Sequence, residues 1–409
     1  MVEVTDYVAN GSFASLAENV QYKQEEDYAV LIRLVDYNNG FKDGFVYIDE
    51  HAYNFLGKSK LFGGEIIISN VGANVGTVFK APYLKKPMSL APNAICVKLK
   101  GNNDFYYYWF KSRIGQYSID SLVSGSAQPK FNKTHFKSMP IPVPPIHEQD
   151  EIASILSSLD DKIAVNKKIC ENLEAQAQAL FKHWFVDFAP FKDGKFVESE
   201  LGMIPKGWRV GKLDQVTCNI TDGVHNTVKD VANGGFYLLS CKNIKGGIIT
   251  IGDHERTIDG ETFNKLRKRT KLQKGDILLS SVGTIGEMVL LNDDLSNIEF
   301  QRSVAIIKPD NDVITSHFLF YSLMNQKVNI IHSAHGAVQQ CLFISDIANF
   351  STIIPPKEDI IKFTNVVKVL VDKKTTIEKE NKCLATLRDT LLPKLMSGEI
   401  KVNEIEKSL

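Results

Sequence analysis

Residues 141–163 read IPVPPIHEQDEIASILSSLDDKI, and residues 352–374 read TIIPPKEDIIKFTNVVKVLVDKK. In each stretch a proline pair closes a short apolar run, and a charged segment follows with an apolar residue every three or four places. Proline cannot donate to a sheet ladder and biases the residue before it to extended geometry, so each run reads as the end of a strand. Glu148, Asp150 and Glu151 then fall in a first helical turn, where the helix dipole favours negative charge. The pair of stretches predicts two long helices, each launched from a strand-rich block.

Sliding the chain against itself by 211 positions brings Gly64 onto Gly275, Gly125 onto Gly336, Gln128 onto Gln339, and Pro144 and Pro145 onto Pro355 and Pro356. The same shift pairs Leu159 with Leu370, Asp161 with Asp372, Lys162 with Lys373, Leu173 with Leu384 and Leu180 with Leu391. One offset kept over so many positions marks an internal repeat of a block followed by a helix. Within the blocks, GEIIISNVGANVG (64–76) matches GDILLSSVGTIG (275–286) once one residue is inserted. IIIS, DILLS, YLLS (237–240) and SVAIIKP (303–309) are short apolar runs bounded by turn residues, and they predict strands. DFYYYWFKSRIGQYSI (104–119) and SHFLFYSLMNQKVNII (316–331) predict one helix in each block. The fold class is α+β.

From Ile152 a strict alternation of four and three runs through Leu156, Leu159, Ile163, Asn166, Cys170, Leu173, Ala177, Leu180 and Trp184, which is a coiled-coil seam with one strongly polar member, Asn166. The second copy uses Phe363, Val367, Leu370, Ile377, Leu384, Leu391 and Leu395, interrupted by Lys374, Asn381 and Arg388. Lys394, Ser397 and Gly398 supply its stop. A helix of about 35–40 residues spans roughly 55 Å.

Bulk properties exclude other classes. At 409 residues, 44% hydrophobic and 23% charged, the composition is that of globular rather than disordered chains. No window provides the roughly 20 apolar residues of a membrane span, and the start lacks a signal peptide, so a cytoplasmic protein is expected. Six cysteines show no zinc-ligand spacing, and no metal site is expected. Net charge is zero, with 48 basic and 48 acidic residues, but KLRKRTKLQK (265–274) holds six basic side chains and no acidic one.

A strand-rich block, then PxPPxxEQxxIxxxLxxxxD on a long helix, then the arrangement again, resembles the DNA specificity (S) subunit of type I restriction-modification systems. The residues that carry it are Pro144, Pro145, Glu148, Gln149, Ile152, Leu156, Leu159 and Asp161, backed by LLPKLMSGEI (391–400) and TDGVH (221–225). The resemblance implies two target-recognition domains in pseudo-twofold repeat, 1–145 and 191–356. It implies two antiparallel spacer helices, 146–190 and 357–409, between them. It also implies double-stranded DNA as ligand, methyltransferase (M) subunits docked on the helices, and restriction/translocase (R) subunits beyond them. S-adenosylmethionine, ATP and magnesium would sit on those partners, with no cofactor and no catalytic residue on this chain. The absence of a GxxxxGK[ST] loop and of NPPY or DPPY agrees with a non-enzyme. The alternative is the specificity part of a type IIB-like methyltransferase/nuclease system.

With that family in view, Arg267, Lys268 and Arg269 are phosphate candidates. His225, Asn226, Lys242, Asn243 and Arg302 in the second block, and Asn70, Asn74, Gln128, Lys130, Asn132 and Lys133 in the first, are candidates to approach bases. Glu148, Gln149, Ile152, Leu156 and Leu159 are the expected docking residues for a partner subunit, and the missing EQ pair in the second copy predicts unequal docking by the two helices. The second block opens with GWRVGKLDQVTCN (207–219), whereas the first reaches Thr5 and Asp6 at once. Either the start is truncated or IKVNEIEKSL (400–409) supplies a substitute strand.

Overall fold

The structure is a computed structural model that describes residues 3–125, 127–252, 254–336 and 340–402. Gln339 and the last seven residues of IKVNEIEKSL lie outside the described residues. The chain divides into two compact units, residues 1–165 with 381–409 and residues 166–380, so each long helix gives one half to each unit.

The first unit is built on a four-stranded antiparallel sheet in the order Glu3–Asp6, Ala94–Lys98, Ile66–Ser69, Val78–Lys80. Ile66 and Ile68 face a core that holds Phe105, Trp109, Ile152 and Leu156. Ile67 faces a second cluster with Val30, Leu61, Met88 and Leu90 from the neighbouring four-stranded sheet. Both faces are buried, which is why IIIS is continuously apolar instead of alternating. That second sheet contains a parallel pair, Ala29–Ile32 with Met88–Leu90.

The second unit repeats this frame. Its sheet runs Thr217–Asp222, Val304–Pro309, Ile277–Ser280, Met288–Leu290, and a parallel pair recurs between Phe236–Leu239 and Ile298–Phe300. Ile277 and Leu279 face one core and Leu278 the other, as in the first unit. The pairing of Arg209–Lys212 antiparallel on Ser351–Ile354 has no counterpart in the first unit, where among the described residues nothing pairs with the corresponding stretch 140–143.

The helix predicted over 104–119 is two helices, Asn103–Lys111 and Arg113–Asp120, because Ser112 turns extended and caps Gly115 N–H. Gly115 packs against the Trp109 carbonyl so tightly that a Cβ would lie 2.0 Å from its oxygen. The stretch 316–331 is likewise split, into Ser316–Asn325 and Lys327–His332.

The long helices are Ile146–Phe185 and Lys357–Ser397, the second closed by Gly398 at φ +73°. Within each unit their halves run antiparallel. In the second unit Phe181 meets Phe363 at a ring-centroid distance of 5.7 Å, Glu174 meets Lys374 at 2.8 Å, and the Asn166 amide donates to Glu380 at 2.9 Å. In the first, Arg388 binds Asp160 at 2.6 Å, and the Tyr108 hydroxyl donates to the same carboxylate at 2.7 Å. The polar interruptions Asn166, Lys374 and Arg388 are therefore each met by an acid on the facing helix, which fixes register where an apolar pair would not.

Gln149 does not face outward. Its Oε1 accepts from Asn102 N–H at 2.9 Å and its Nε2 donates to the Pro144 carbonyl at 2.8 Å, tying the helix start to the block below it. Gly101, at φ +121°, leaves the space, since a Cβ there would come within 2.4 Å of Gln149 Oε1. Gln149→Ala is expected to cost the first unit about 1–3 kcal/mol, because buried partners are left unmade. Thermal melts and faster hydrogen exchange at Asn102 measure it, and an unchanged melt would refute the role. The corresponding residue of the second unit, Ile360, is buried and apolar.

Among the described residues no helix is long and apolar enough to cross a membrane.

Candidate nucleic-acid interface

In the first unit the strand Ile66–Ser69 ends in a glycine loop that carries Asn70 and Asn74, with Gly72 and Gly76 at φ +104° and +89°. The loop 128–133 is laced to it: Gly72 N–H donates to the Pro129 carbonyl at 2.9 Å, and Phe131 N–H donates to the Asn70 carbonyl at 3.1 Å. This brings Asn70, Asn74, Gln128 and Lys130 together on one surface, with Asn74, Gln128 and Lys130 exposed. Asn132 caps the helix Lys133–Ser138, its side chain accepting from His135 N–H at 2.8 Å, so its oxygen serves the fold. Lys133 reaches Asp6 at 2.7 Å. Beside Asp6 and Asn70 opens a cleft of about 600 Å³, rimmed by exposed Phe13 and Tyr22.

In the second unit the corresponding place is the turn Thr221–Asp222–Gly223. Gly223 has to be glycine, since a Cβ there would sit 2.1 Å from the Phe300 carbonyl oxygen. Next to it Arg302 N–H donates to the Val224 carbonyl at 3.0 Å. Arg269 donates to the Asp222 carbonyl at 2.7 Å and to the Gly223 carbonyl, and His225 Nε2 lies 2.6 Å from Asp222 Oδ2. His225, Arg269 and Arg302 are thus gathered around one turn, and Asn226 is exposed beside it.

Other candidates serve the fold instead. Asn243 is buried, accepting from Ser240 N–H and donating to the Thr250 carbonyl, both at 3.0 Å. Lys242 pairs with Glu255 at 3.1 Å but stays exposed at the surface, so this pair does not withdraw it from a ligand. Arg267 is turned inward to the buried Glu299 and to the Leu295 and Ile298 carbonyls at 2.7 Å, leaving Lys268 and Arg269 as the exposed members of the basic trio. Burial pushes the Glu299 carboxyl above the usual carboxylate range, with Arg267 and Thr270 pulling the other way.

The expected docking set needs the same correction. Gln149, Ile152 and Leu156 are buried within the first unit and Leu159 is half-buried, so only Glu148 offers its side chain freely. Side chains that satisfy the core are not available to a second protein.

Asp6 and Asp222 open the two blocks in sequence but are not among the expected site residues. Asp6 pairs with Ile95 and Asp222 with Ala305, equivalent positions on equivalent strands. The repeated Thr-Asp dipeptide is the signal that marks them, although its two copies are 216 positions apart and so fall outside the offset of 211.

A family model described as type I restriction modification DNA specificity domain matches residues 3–175 and 205–384. The MjaIX type I restriction enzyme specificity subunit of Methanocaldococcus jannaschii is 29% identical over 321 residues, covering 74% of this chain and 70% of that protein. The EcoKI specificity subunit of Escherichia coli K12 is 23% identical over 418 residues, covering 94% and 87%. The crystal structure of the S subunit of a type I restriction-modification system from M. genitalium superposes with a TM-score of 0.52 at 16% identity, covering 97% of this chain and 96% of that one, which shows a shared fold. With both repeats matched, the chain belongs to the family of type I restriction-modification DNA specificity proteins.

Proposed function

We propose that this chain reads a two-part sequence in double-stranded DNA, one part with each unit, and directs adenine methylation and restriction carried out by partner subunits. One observation carries the reading: the same sheet frame occurs twice, but at its equivalent aspartates it holds different chemistry, Lys133 on Asp6 and His225 on Asp222. A lysine only donates, whereas an imidazole can also accept, so two different half-sites are expected. Affinity would come from exposed cations such as Lys130, Lys268 and Arg269 on phosphates.

The methyl donor, ATP and magnesium belong to partner chains in this reading. For M subunits, the outward sides of the long helices supply apolar surface at Ile146 and Val165 in the first unit and at Ile169, Val366 and Val369 in the second. R subunits would join through that assembly.

The test is co-expression with a cognate methyltransferase subunit, followed by long-read detection of methylated adenine. A two-part motif with a fixed gap is expected. Inserting one heptad into each long helix adds about 10 Å, or about three base pairs at 3.4 Å each, and should widen the gap accordingly. Absence of any motif rejects the function, and an unchanged gap rejects the helices as its ruler.

A further inference from the structure

We infer that His225 reads a base as a hydrogen-bond acceptor at Nδ1, and that Asp222 imposes this role, so that the second unit selects the exocyclic amine of adenine or cytosine at one position. This rests on the proposed DNA-reading function and names the chemistry of that same site.

The TDG turn supplies three separate parts. Gly223 lets the turn lie against the strand end at Phe300 and Gln301, where any side chain would collide with main-chain oxygens. Arg269 clamps the turn from behind through the Asp222 and Gly223 carbonyls. Asp222, its side chain mostly buried, directs one carboxylate oxygen at His225 Nε2, 2.6 Å away, and the other toward Arg269 Nη1 at 3.8 Å. A carboxylate has no proton to give, so in the neutral imidazole the single ring proton sits on Nε2. Nδ1 is then a bare acceptor on a side chain that is 58% exposed, and among the described residues no hydrogen bond to it is formed. In the major groove only adenine N6 and cytosine N4 offer donors, whereas guanine O6 and N7 and thymine O4 only accept. The geometry therefore chooses a class of base before any DNA is present.

The same arrangement predicts how to reverse the choice. In Asp222→Asn the amide oxygen is drawn to Arg269, which only donates, and the amide nitrogen then faces His225. Its N–H donates to Nε2, the ring proton moves to Nδ1, and the exposed nitrogen becomes a donor, suited to guanine O6 or N7, thymine O4 or adenine N7 and no longer to an exocyclic amine.

The experiment uses the complex of this chain with its methyltransferase subunits on unmethylated genomic DNA. Methylated motifs are read for the wild type, His225→Ala and Asp222→Asn, with melting temperatures recorded for each. In His225→Ala one position of one half-site should lose roughly tenfold in discrimination while the other half-site is unchanged. In Asp222→Asn a preferred cytosine at that position, on the same strand, should give way to guanine or thymine, and a preferred adenine, whose N7 can still accept, should lose its advantage over guanine. A folded His225→Ala protein with an unaltered motif, or with methylation lowered equally at every site as for a phosphate contact, overturns the inference. So does an Asp222→Asn protein whose discrimination against guanine and thymine at that position equals that of the wild type. A wild-type complex that yields no two-part motif overturns the functional reading instead, and is told apart because no variant is needed to see it.

Discussion

Phe363→Ala is expected to lower the stability of the second unit by about 3–5 kcal/mol, the range for deleting a fully buried phenyl ring. Phe363 is 0% exposed and sits at the hub of an aromatic cluster. Its ring meets Phe185 at 5.1 Å and 88°, Phe181 at 5.7 Å and 74°, and Phe318 at 6.1 Å and 87°. Edge-to-face pairs of this kind add to the area term, and no single neighbour can move to fill the space without breaking its own contacts. The ring comes from the second long helix, Phe181 and Phe185 from the first, and Phe318 from the block. The substitution therefore loosens both helix halves from the sheet of their unit. Val366→Ala, half-exposed on the same helix, should stay within about 0.5 kcal/mol of the wild type. Urea denaturation with hydrogen exchange assigns the loss to this unit, and equal midpoints for the two variants would refute it.

Arg267→Ala is expected to destabilise the same unit by about 3–5 kcal/mol, as removal of one partner leaves a buried charge uncompensated. Glu299 is fully buried, and among the described residues its other side-chain partner is the Thr270 hydroxyl, 3.1 Å from both carboxylate oxygens. The effect has a sign in pH. Burial already raises the folded pKa of Glu299 above the unfolded value, and loss of Arg267 raises it further. A group with a raised folded pKa gives its full stability below the unfolded pKa, about 4.3, and loses it as pH rises through the folded value. The variant should thus lie closest to the wild type near pH 4 and fall away toward pH 8. Thermal melts across that range measure it, and a deficit that shrinks with rising pH would be incompatible with a buried carboxylate. Lys268→Ala, one position on and exposed, should leave the melt unchanged, which separates a cation that holds the fold from one free to meet phosphate.

These two residues also mark what a linear sequence discloses. The long helices, their seams and the doubly buried strands follow from periodicity, because a period of 3.5 residues or a run such as IIIS leaves few alternatives. Whether a polar side chain points in or out does not follow. Arg267, Lys268 and Arg269 are adjacent in one basic run, yet a 100° rotation per residue sends the first to Glu299, the second to solvent and the third to the TDG turn. Gln149 misleads for the same reason: a glutamine in a charged helix start reads as surface, and only the distant Asn102 amide reveals why it is inside. Asn132, in a loop rich in basic residues, suggests contact with bases, but its spacing of three before His135 is equally that of a helix cap. Site residues brought together by tertiary pairing, such as Asp6 with Lys133, are 127 positions apart and leave no local trace.

The unpaired stretch at 140–143 carries one more consequence. In the second unit Leu213 N–H donates to the Phe350 carbonyl, which places Thr352 and Ile354 at the hydrogen-bonding positions of that edge. The shift of 211 maps these onto Ile141 and Val143, while Pro140, Pro142 and Pro144 take the alternate positions. Unpaired backbone donors are ordinarily a template for another strand. The prolines, whose missing donors would lie on the other side, leave the Ile141 and Val143 N–H groups, which among the described residues meet no backbone partner, so this stretch keeps the pairing capacity that Arg209–Lys212 takes up in the second unit. The apolar Val143 is exposed in this same stretch, so a strand laid along it would find both open donors and an uncovered side chain.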